Sequence, residues 1–179
     1  EIGLGIPAEP LFRSRQMVVM SAEIHQQPLG RADVVFTEVD DGRLFAGDLF
    51  FSKFASTIPS VGHHMVAMVE NDGVLMTAGY AHFYQYENVI LVGGVCTAGN
   101  VLRSISQERQ RAIHEKDGIY FNMLGYAFKK YAAHCDAFFG YCGDARAEVV
   151  NLKAGFVKTE HPYLLVNFHK PSLTDVEKT

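Results

Sequence analysis

The stretch Gly118–Phe168 decides the fold and reads GIYFNMLGYAFKKYAAHCDAFFGYCGDARAEVVNLKAGFVKTEHPYLLVNF. Its first part spaces apolar residues three and four positions apart from Ile119 to Tyr131, which predicts a helix with one buried side. The apolar run Ala137–Cys142 follows, with the length and aromatic content of a strand that is buried on both faces. A long helix and a buried strand are therefore the first two elements of this region.

A second helix follows the strand, and the sequence marks both of its ends. Asp144 is a residue type that caps helix N-termini, and Gly155 is suited to the positive φ at which helices end. The next segment, Tyr163–Phe168, is again strand-like. Because a strand, a helix and a strand in succession normally form a right-handed crossover, we expect a crossover here.

The upstream half predicts one strand, one helix and a meander of three strands. Ala32–Val39 is strand-like, and Arg43–Ile58 has the broad apolar face of a helix. Asn71-Asp72-Gly73 and Glu87-Asn88 are typical of tight hairpin turns. The strands of the meander are His63–Glu70, Val74–Tyr84 and Val89–Thr97.

Two further features complete the order of elements. Gly93-Gly94 lies inside the third meander strand and predicts a bulge, or a place where another group approaches the backbone. The segment Ala98–Asp117 is a polar connection in which Ser106–Lys116 has the pattern of a helical turn or two. The whole order predicts an α+β fold, with a mostly antiparallel sheet and a parallel pair of strands in its middle.

Length and composition suit one soluble globular domain over residues 1–179, with 48% hydrophobic and 20% charged residues. The formal net charge of −4 argues against a large nucleic-acid footprint. No apolar run approaches the roughly 20 residues that span a bilayer, so no membrane partner is expected. Three cysteines without CxxC spacing favour reduced thiols and a cytoplasmic setting. Residues 1–31 have no clear period, and 171–179 form a polar tail.

The order of elements, and the helix that runs from Asp144 through Ala147 to Gly155-Phe156, resemble the GNAT superfamily of acyl-CoA N-acyltransferases. The resemblance covers about residues 32–168. It implies a mixed, mostly antiparallel central sheet with helices on both faces. It also implies direct transfer of an acyl group from acetyl-CoA or another acyl-CoA to an amine, here an unidentified small-molecule amine.

The resemblance further implies where the donor binds. In the family the fourth strand separates from the strand after the long helix, and the pantetheine chain lies between them. The pyrophosphate lies on the turn that opens the long helix, where unpaired N–H groups favour anions. The family pattern Q/R-x-x-G-x-G/A reads Glu115-x-x-Gly118-x-Tyr120 in this chain. The implied donor-binding residues are Val95, Cys96, Thr97, Arg111, Lys116, Gly118, Ile119 and Tyr120.

One strand offers a candidate base for the amine. Tyr80, His82 and Tyr84 alternate along it, so their side chains share one face of the sheet. Because histidines titrate near neutral pH, His82 is a candidate to accept the proton of the amine, with Tyr84 beside it. The alternative is a polar ladder on a half-exposed sheet.

The end of the buried strand offers a candidate acid for the leaving thiolate. The family's frequent tyrosine, four residues before the helix-ending glycine, is replaced by Asn151. Tyr141 and Cys142 lie at the sheet edge where a ligand is expected, and either could protonate the thiolate instead. The alternative is that both residues pack in the core.

No metal site is predicted, because the adjacent residues His63 and His64 point to opposite faces of a strand. Two other functions stay open. The first is an inactive GNAT-like protein that binds a ligand or partner, which a Tyr120 ring in the pyrophosphate position would favour. The second is transfer from an acyl carrier protein docked on Arg103–Arg111. Assembly as a homodimer is also left open.

Overall fold

The computed structural model describes residues 34–170, and the predictions for residues 1–31 and 171–179 fall outside that range. In chain order the elements are β1 (Val34–Val39), α1 (Gly42–Phe54), β2 (His63–Asn71), β3 (Val74–Tyr86), β4 (Val89–Thr97), α2 (Gly99–Ser104), α3 (Gln107–Glu115), α4 (Gly118–Tyr131), a 3-10 turn (Ala132–His134), β5 (Ala137–Tyr141), α5 (Ala145–Lys153), β6 (Val157–Lys158) and β7 (Leu164–Phe168).

The strands form one seven-stranded sheet in the order β1-β2-β3-β4-β5-β7-β6. Neighbouring strands are antiparallel except for β4 and β5, which are parallel. A parallel pair needs a long connection, and here the connection carries α2, α3 and α4. The predicted α+β class, the mostly antiparallel sheet and the parallel pair in its middle are confirmed.

The direction of the last strand was predicted wrongly. β7 runs antiparallel to β5, so the expected crossover between neighbouring parallel strands does not form. The reason is β6, a two-residue strand after α5 that makes a hairpin with β7 and places β7 between β5 and β6. A strand of two residues has no period for a sequence pattern to reveal.

The polar connection before α4 was also predicted incompletely, because it contains the two helices α2 and α3. Ser106 caps α3 by accepting a hydrogen bond from the Arg109 backbone N–H at 3.3 Å. Ile113 is the buried residue of this helix. One buried side chain leaves too little apolar periodicity to predict a whole helix.

The ends of α5 follow from local signals in the sequence, whereas the C-terminal end of α1 does not. The Asp144 carboxylate accepts hydrogen bonds from the backbone N–H groups of Arg146 and Ala147, and Gly155 has a φ of 96°, as predicted. α1 ends earlier than predicted, at Phe54, because Ala55 adopts a left-handed conformation with a φ of 49°.

Helices cover both faces of the sheet, and each face has its own apolar core. On one face Phe50 of α1 packs against Tyr80 of β3. On the other face Met123 of α4 packs in a cluster with Phe83 and Phe138. Because alternate residues of a strand face opposite sides, these contacts fix the side on which each residue of the sheet lies.

Candidate active site

β4 and β5 separate part-way along their length, and a pocket opens between them. The strands pair from Val89 with Ala137 to Val92 with Gly140. Beyond Val92, β4 bulges at Gly93–Gly94, as predicted, because these two residues lie opposite the single residue His82. The pocket, called the notch below, has a volume of about 380 Å³. It is lined by Phe54 of α1, residues 92–95 of β4, Tyr120 of α4, residues 140–144, and Ala147 and Asn151 of α5.

A second pocket, of about 370 Å³, adjoins the notch at the start of α4. The two pockets meet at Tyr120, whose side chain lines both. The second pocket is lined by Thr97, Leu102, Gln110, Ile113, His114, Asp117, Gly118, Ile119, Tyr120 and Val150. The donor-binding candidates Thr97, Gly118, Ile119 and Tyr120 are therefore brought together, and Val95 lines the adjoining notch.

Tyr120 and Asn151 form a hydrogen-bonded pair in the wall between the two pockets. The Tyr120 hydroxyl donates to Oδ1 of Asn151 at 2.6 Å. Burial raises the pKa of Tyr120 far above its usual range, although the hydrogen bond to Asn151 partly opposes this, so the phenol stays protonated. Asn151 stands where the resemblance implied a tyrosine, and α4 supplies a phenol that contacts it. Nothing in the linear sequence links the two positions, which explains why this pair was not predicted.

The start of α4 leaves backbone N–H groups without a side-chain cap. Asp117 at the N-cap adopts a φ of 67° and its side chain makes no capping hydrogen bond, while Gly118 has a φ of 80°. A Cβ at Gly118 would have no atom within 4 Å, so the approach is open. The Asp117 carboxylate instead pairs with Lys153 Nζ at 2.5 Å. Uncapped N–H groups at a helix start fit an anionic group such as a pyrophosphate.

His82 lies on the α1 side of the sheet, directly behind Gly93. Its Nε2 is 2.6 Å from the carbonyl oxygen of Val61, and because that oxygen can only accept, Nε2 carries the proton. The lone pair of the neutral ring is therefore on Nδ1. A Cβ at Gly93 would lie 2.8 Å from this Nδ1. Gly93 lines the notch and has no side chain, so only its backbone lies between the imidazole and the notch.

The other three proton-transfer candidates lie in different surroundings. Tyr141 and Cys142 line the notch, Tyr141 with 73% of its surface exposed and Cys142 buried. The Cys142 thiol donates to the carbonyl oxygen of Asp144 at 3.3 Å, which occupies its proton. Tyr84 is 40% exposed on β3 and does not line the notch. The structure therefore brings Tyr141 and Cys142 to the pocket but not Tyr84.

Three of the expected donor-binding residues lie away from both pockets. Cys96 is buried under α1 with Phe50 and Tyr80, and burial raises the pKa of its thiol to about 11. The Cys96 side chain points away from both pockets because its neighbours on β4, Val95 and Thr97, point to the other face of the sheet. Arg111 is exposed on α3, where its Nε donates to the carbonyl oxygen of Gln107 at 3.4 Å. Lys116 ends α3 without lining either pocket.

The two adjacent histidines lie on opposite faces, as predicted. His63 contacts Glu38 at 2.6 Å, whereas His64 shares a hydrogen bond of 2.8 Å with the Tyr80 hydroxyl. Within residues 34–170 there is no group of three or more His, Cys, Asp or Glu side chains placed to hold a metal ion. In the same range, no helix combines the length and the apolar character needed to cross a bilayer.

Comparisons with known proteins agree with this architecture. No family sequence profile and no curated protein sequence matches the chain. The ribosomal-protein-S18-alanine N-acetyltransferase from Escherichia coli is 11% identical with a TM-score of 0.50, over 79% of this chain and 97% of that protein. The catalytic domain of the Tetrahymena GCN5 histone acetyltransferase, solved with coenzyme A, is 15% identical with a TM-score of 0.46, over 79% and 95%. The likeness to the first of these enzymes shows that the chain has the GNAT fold, as the resemblance implied, and it establishes the fold alone.

Proposed function

We propose that this protein is an N-acyltransferase that moves an acetyl or other acyl group from acyl-CoA to a small amine by direct attack. The observation that carries the proposal is the notch, which adjoins an uncapped helix start through Tyr120. A long donor with an anionic end fits such a pair of connected pockets. Catalysis comes mainly from holding donor and amine together in this space.

The donor would be held by β4 and by the start of α4. Beyond Val92, no described strand pairs with the β5-facing edge of β4, so its backbone groups are available to an extended ligand. Val95 and Thr97 would flank such a ligand, and residues 118–120 would receive its anionic end. When bound, the donor supplies an acyl thioester, which an amine can attack.

We assign His82 as the base and Tyr120 as the acid, on opposite sides of the sheet. His82 lies on the α1 side with its Nδ1 toward Gly93, and it would receive the proton of the attacking amine indirectly, because the Gly93 backbone lies between the ring and the notch. Tyr120 lies on the α4 side, and its hydroxyl, which donates to Asn151 in the structure, would turn its hydrogen bond to the departing sulfur. Tyr141 remains a candidate for the same role because it lines the same space; Cys142 lines it too, but its thiol donates to the carbonyl oxygen of Asp144.

The first test is binding and turnover. We expect acetyl-CoA and longer acyl-CoAs to bind saturably in calorimetry, with dissociation constants between about 1 μM and 1 mM. Val95→Trp, which fills the notch, should abolish binding, whereas Val149→Trp should bind normally because Val149 is 66% exposed on α5 and lines neither pocket. Absence of heat and of thermal shift with every acyl-CoA would refute the proposal. Turnover of an acylated carrier protein alone would reassign the donor.

A second candidate, ligand binding without catalysis, is favoured by Asp117. Its carboxylate lies at the helix start that would receive an anion, and like charges repel. Lys153 offsets this charge in the structure. Asp117→Asn separates the two functions: affinity for acyl-CoA should change by less than about threefold in an acyltransferase, and should rise by about tenfold if Asp117 excludes the donor.

A further inference from the structure

The notch has two mouths, and the proposed donor would occupy one of them. The second pocket joins the notch at Tyr120, on the α4 side of the sheet. The opposite mouth lies on the α1 side, where Phe54 of α1 reaches the pocket. A Cβ at Gly94 would lie 2.5 Å from the Phe50 ring and 3.4 Å from the Phe54 ring, so α1 crosses directly over the bulge of β4. An acceptor would therefore enter beside the end of α1.

The surface around this second mouth, called the acceptor mouth, is aromatic and apolar. Phe54 is 45% exposed and Tyr141 73% exposed, and both line the notch itself. Leu91 of β4 is exposed on the same face, because its neighbours Ile90 and Val92 pack in the core on the α4 side. Tyr163 extends the surface by an edge contact with Tyr141, at 5.8 Å between ring centroids. Exposed aromatic and apolar side chains beside a pocket are typical of a binding surface.

Charged side chains contribute little to the lining of the notch. Asp144 is the one acidic residue among the described residues that line it. Its Oδ1 accepts from the backbone N–H groups of Arg146 and Ala147 at 2.7 and 3.0 Å. These hydrogen bonds lower the pKa of Asp144 and use its carboxylate as a helix cap. The exposed rings of Phe54 and Tyr141 outweigh this one carboxylate in the lining, so the body of an acceptor would contact rings more than charges.

We infer that the acceptor is a primary amine carried on an aromatic or apolar body. This inference rests on the proposed acyltransferase function and adds the substrate class. The body of the amine lies against Phe54 and Tyr141, and the amino group points into the notch toward Gly93. The amine nitrogen forms a bond to the acyl carbon, the carbon–sulfur bond breaks, the thiolate leaves, and the ammonium proton passes to His82 or to water.

The test is an acceptor panel at saturating acetyl-CoA, with release of the CoA thiol as the readout. We expect kcat/KM for 2-phenylethylamine and hexylamine to exceed that for 1,4-diaminobutane and for a lysine-containing peptide by about tenfold or more. Phe54→Ala and Tyr141→Ala should reduce this preference by raising KM for the aromatic amine. Tyr86→Ala is the matched control, because Tyr86 is a 58% exposed tyrosine that lies outside the notch.

The outcomes separate this inference from the function on which it rests. If acetyl-CoA does not bind, the proposed function fails. If acetyl-CoA binds but the diamine or the peptide is the best acceptor, the function stands and the inference is overturned. Binding of acetyl-CoA without turnover of either apolar amine overturns the inference as well. A lost preference in Tyr86→Ala, equal to that in Tyr141→Ala, would contradict the assignment of the acceptor mouth.

Discussion

Gly93 lies between the imidazole of His82 and the notch. Gly93→Ala places a methyl group 2.8 Å from Nδ1 of His82, a distance that forces the ring to move. The Nε2 hydrogen bond to the Val61 carbonyl oxygen resists that movement. We expect kcat to fall by about tenfold to a hundredfold, since a displaced base loses much of its effect. Affinity for acyl-CoA, measured by calorimetry, should change little.

Gly143→Ala is the control for this substitution. Gly143 also lines the notch, but an added Cβ there has no atom within 4 Å. It should therefore retain the wild-type kcat. Equal losses in the two variants would mean that the notch tolerates no added methyl group, and would remove the argument for His82.

Tyr120 is the phenol that we place beside the departing sulfur. Tyr120→Phe removes the hydroxyl and leaves the buried Oδ1 of Asn151 without this donor, at a cost of about 1–3 kcal/mol of stability. We expect kcat with acetyl-CoA to fall by about tenfold or more, because the thiolate loses a hydrogen bond as it forms. An S-aryl thioester, whose thiolate is a better leaving group, should lose less. Tyr126→Phe, on the same helix and outside both pockets, is the control; an equal loss there would exclude a role in the reaction.

Among the elements, those with local signals at their ends were predicted and those without were not. Asp144 and Gly155 mark α5 through side-chain capping and a positive φ, and both are properties of one residue. β6 depends instead on a pairing between distant segments, and the notch was expected only through the family resemblance. The last pair between β4 and β5, Val92 with Gly140, involves positions far apart in the chain. No spacing in the sequence shows where two such strands separate.

Glu38 connects β1, β2 and α4 on the α4 side of the sheet. Its carboxylate, on β1, accepts from Nδ1 of His63 at 2.6 Å, from Nζ of Lys130 at 2.7 Å and from the Tyr131 hydroxyl at 3.0 Å. Burial alone would raise the pKa of Glu38, but the hydrogen bonds and charge of Lys130 and the hydrogen bond of His63 outweigh it and lower the pKa below its ordinary value of 4.5. The charged carboxylate is therefore the form that stabilises the fold.

The consequence is a loss of stability in acid. A carboxyl group with a lowered pKa in the folded state stabilises the protein above pH 4.5 and loses this contribution as the pH falls through the folded-state pKa. We expect Glu38→Gln to lower the free energy of unfolding at pH 7 by about 1–3 kcal/mol, measured by urea denaturation. The deficit should shrink toward pH 3. Glu160→Gln, at an exposed position, should cost little, and a deficit of Glu38→Gln that is constant with pH would contradict the assignment.

For the whole molecule, both faces of the sheet contain a partly or fully buried histidine that resists protonation. His64 lies under α1 beside Tyr80 and His82, and burial, followed by the charge of His82, lowers its pKa. His169 packs against Phe128 and Phe138 on the other face, and burial lowers its pKa too. In the unfolded chain both rings would take up a proton near pH 6.5. Folding therefore disfavours protonation of a histidine in each core, so the stability of both cores should fall over the same range of pH.

This shared dependence predicts the direction in which global stability changes. A histidine whose pKa is lowered by folding contributes stability above pH 6.5, and this contribution is lost as the pH falls, because the unfolded state binds the proton first. We expect the free energy of unfolding to decrease from pH 7.5 to 5.5, with a slope of at most about 1.4 kcal/mol per pH unit for each group. The double variant His64→Gln/His169→Gln should flatten that slope in urea denaturation. His161→Gln, in an exposed turn, should keep it, and an unchanged slope in the double variant would show that the dependence arises elsewhere.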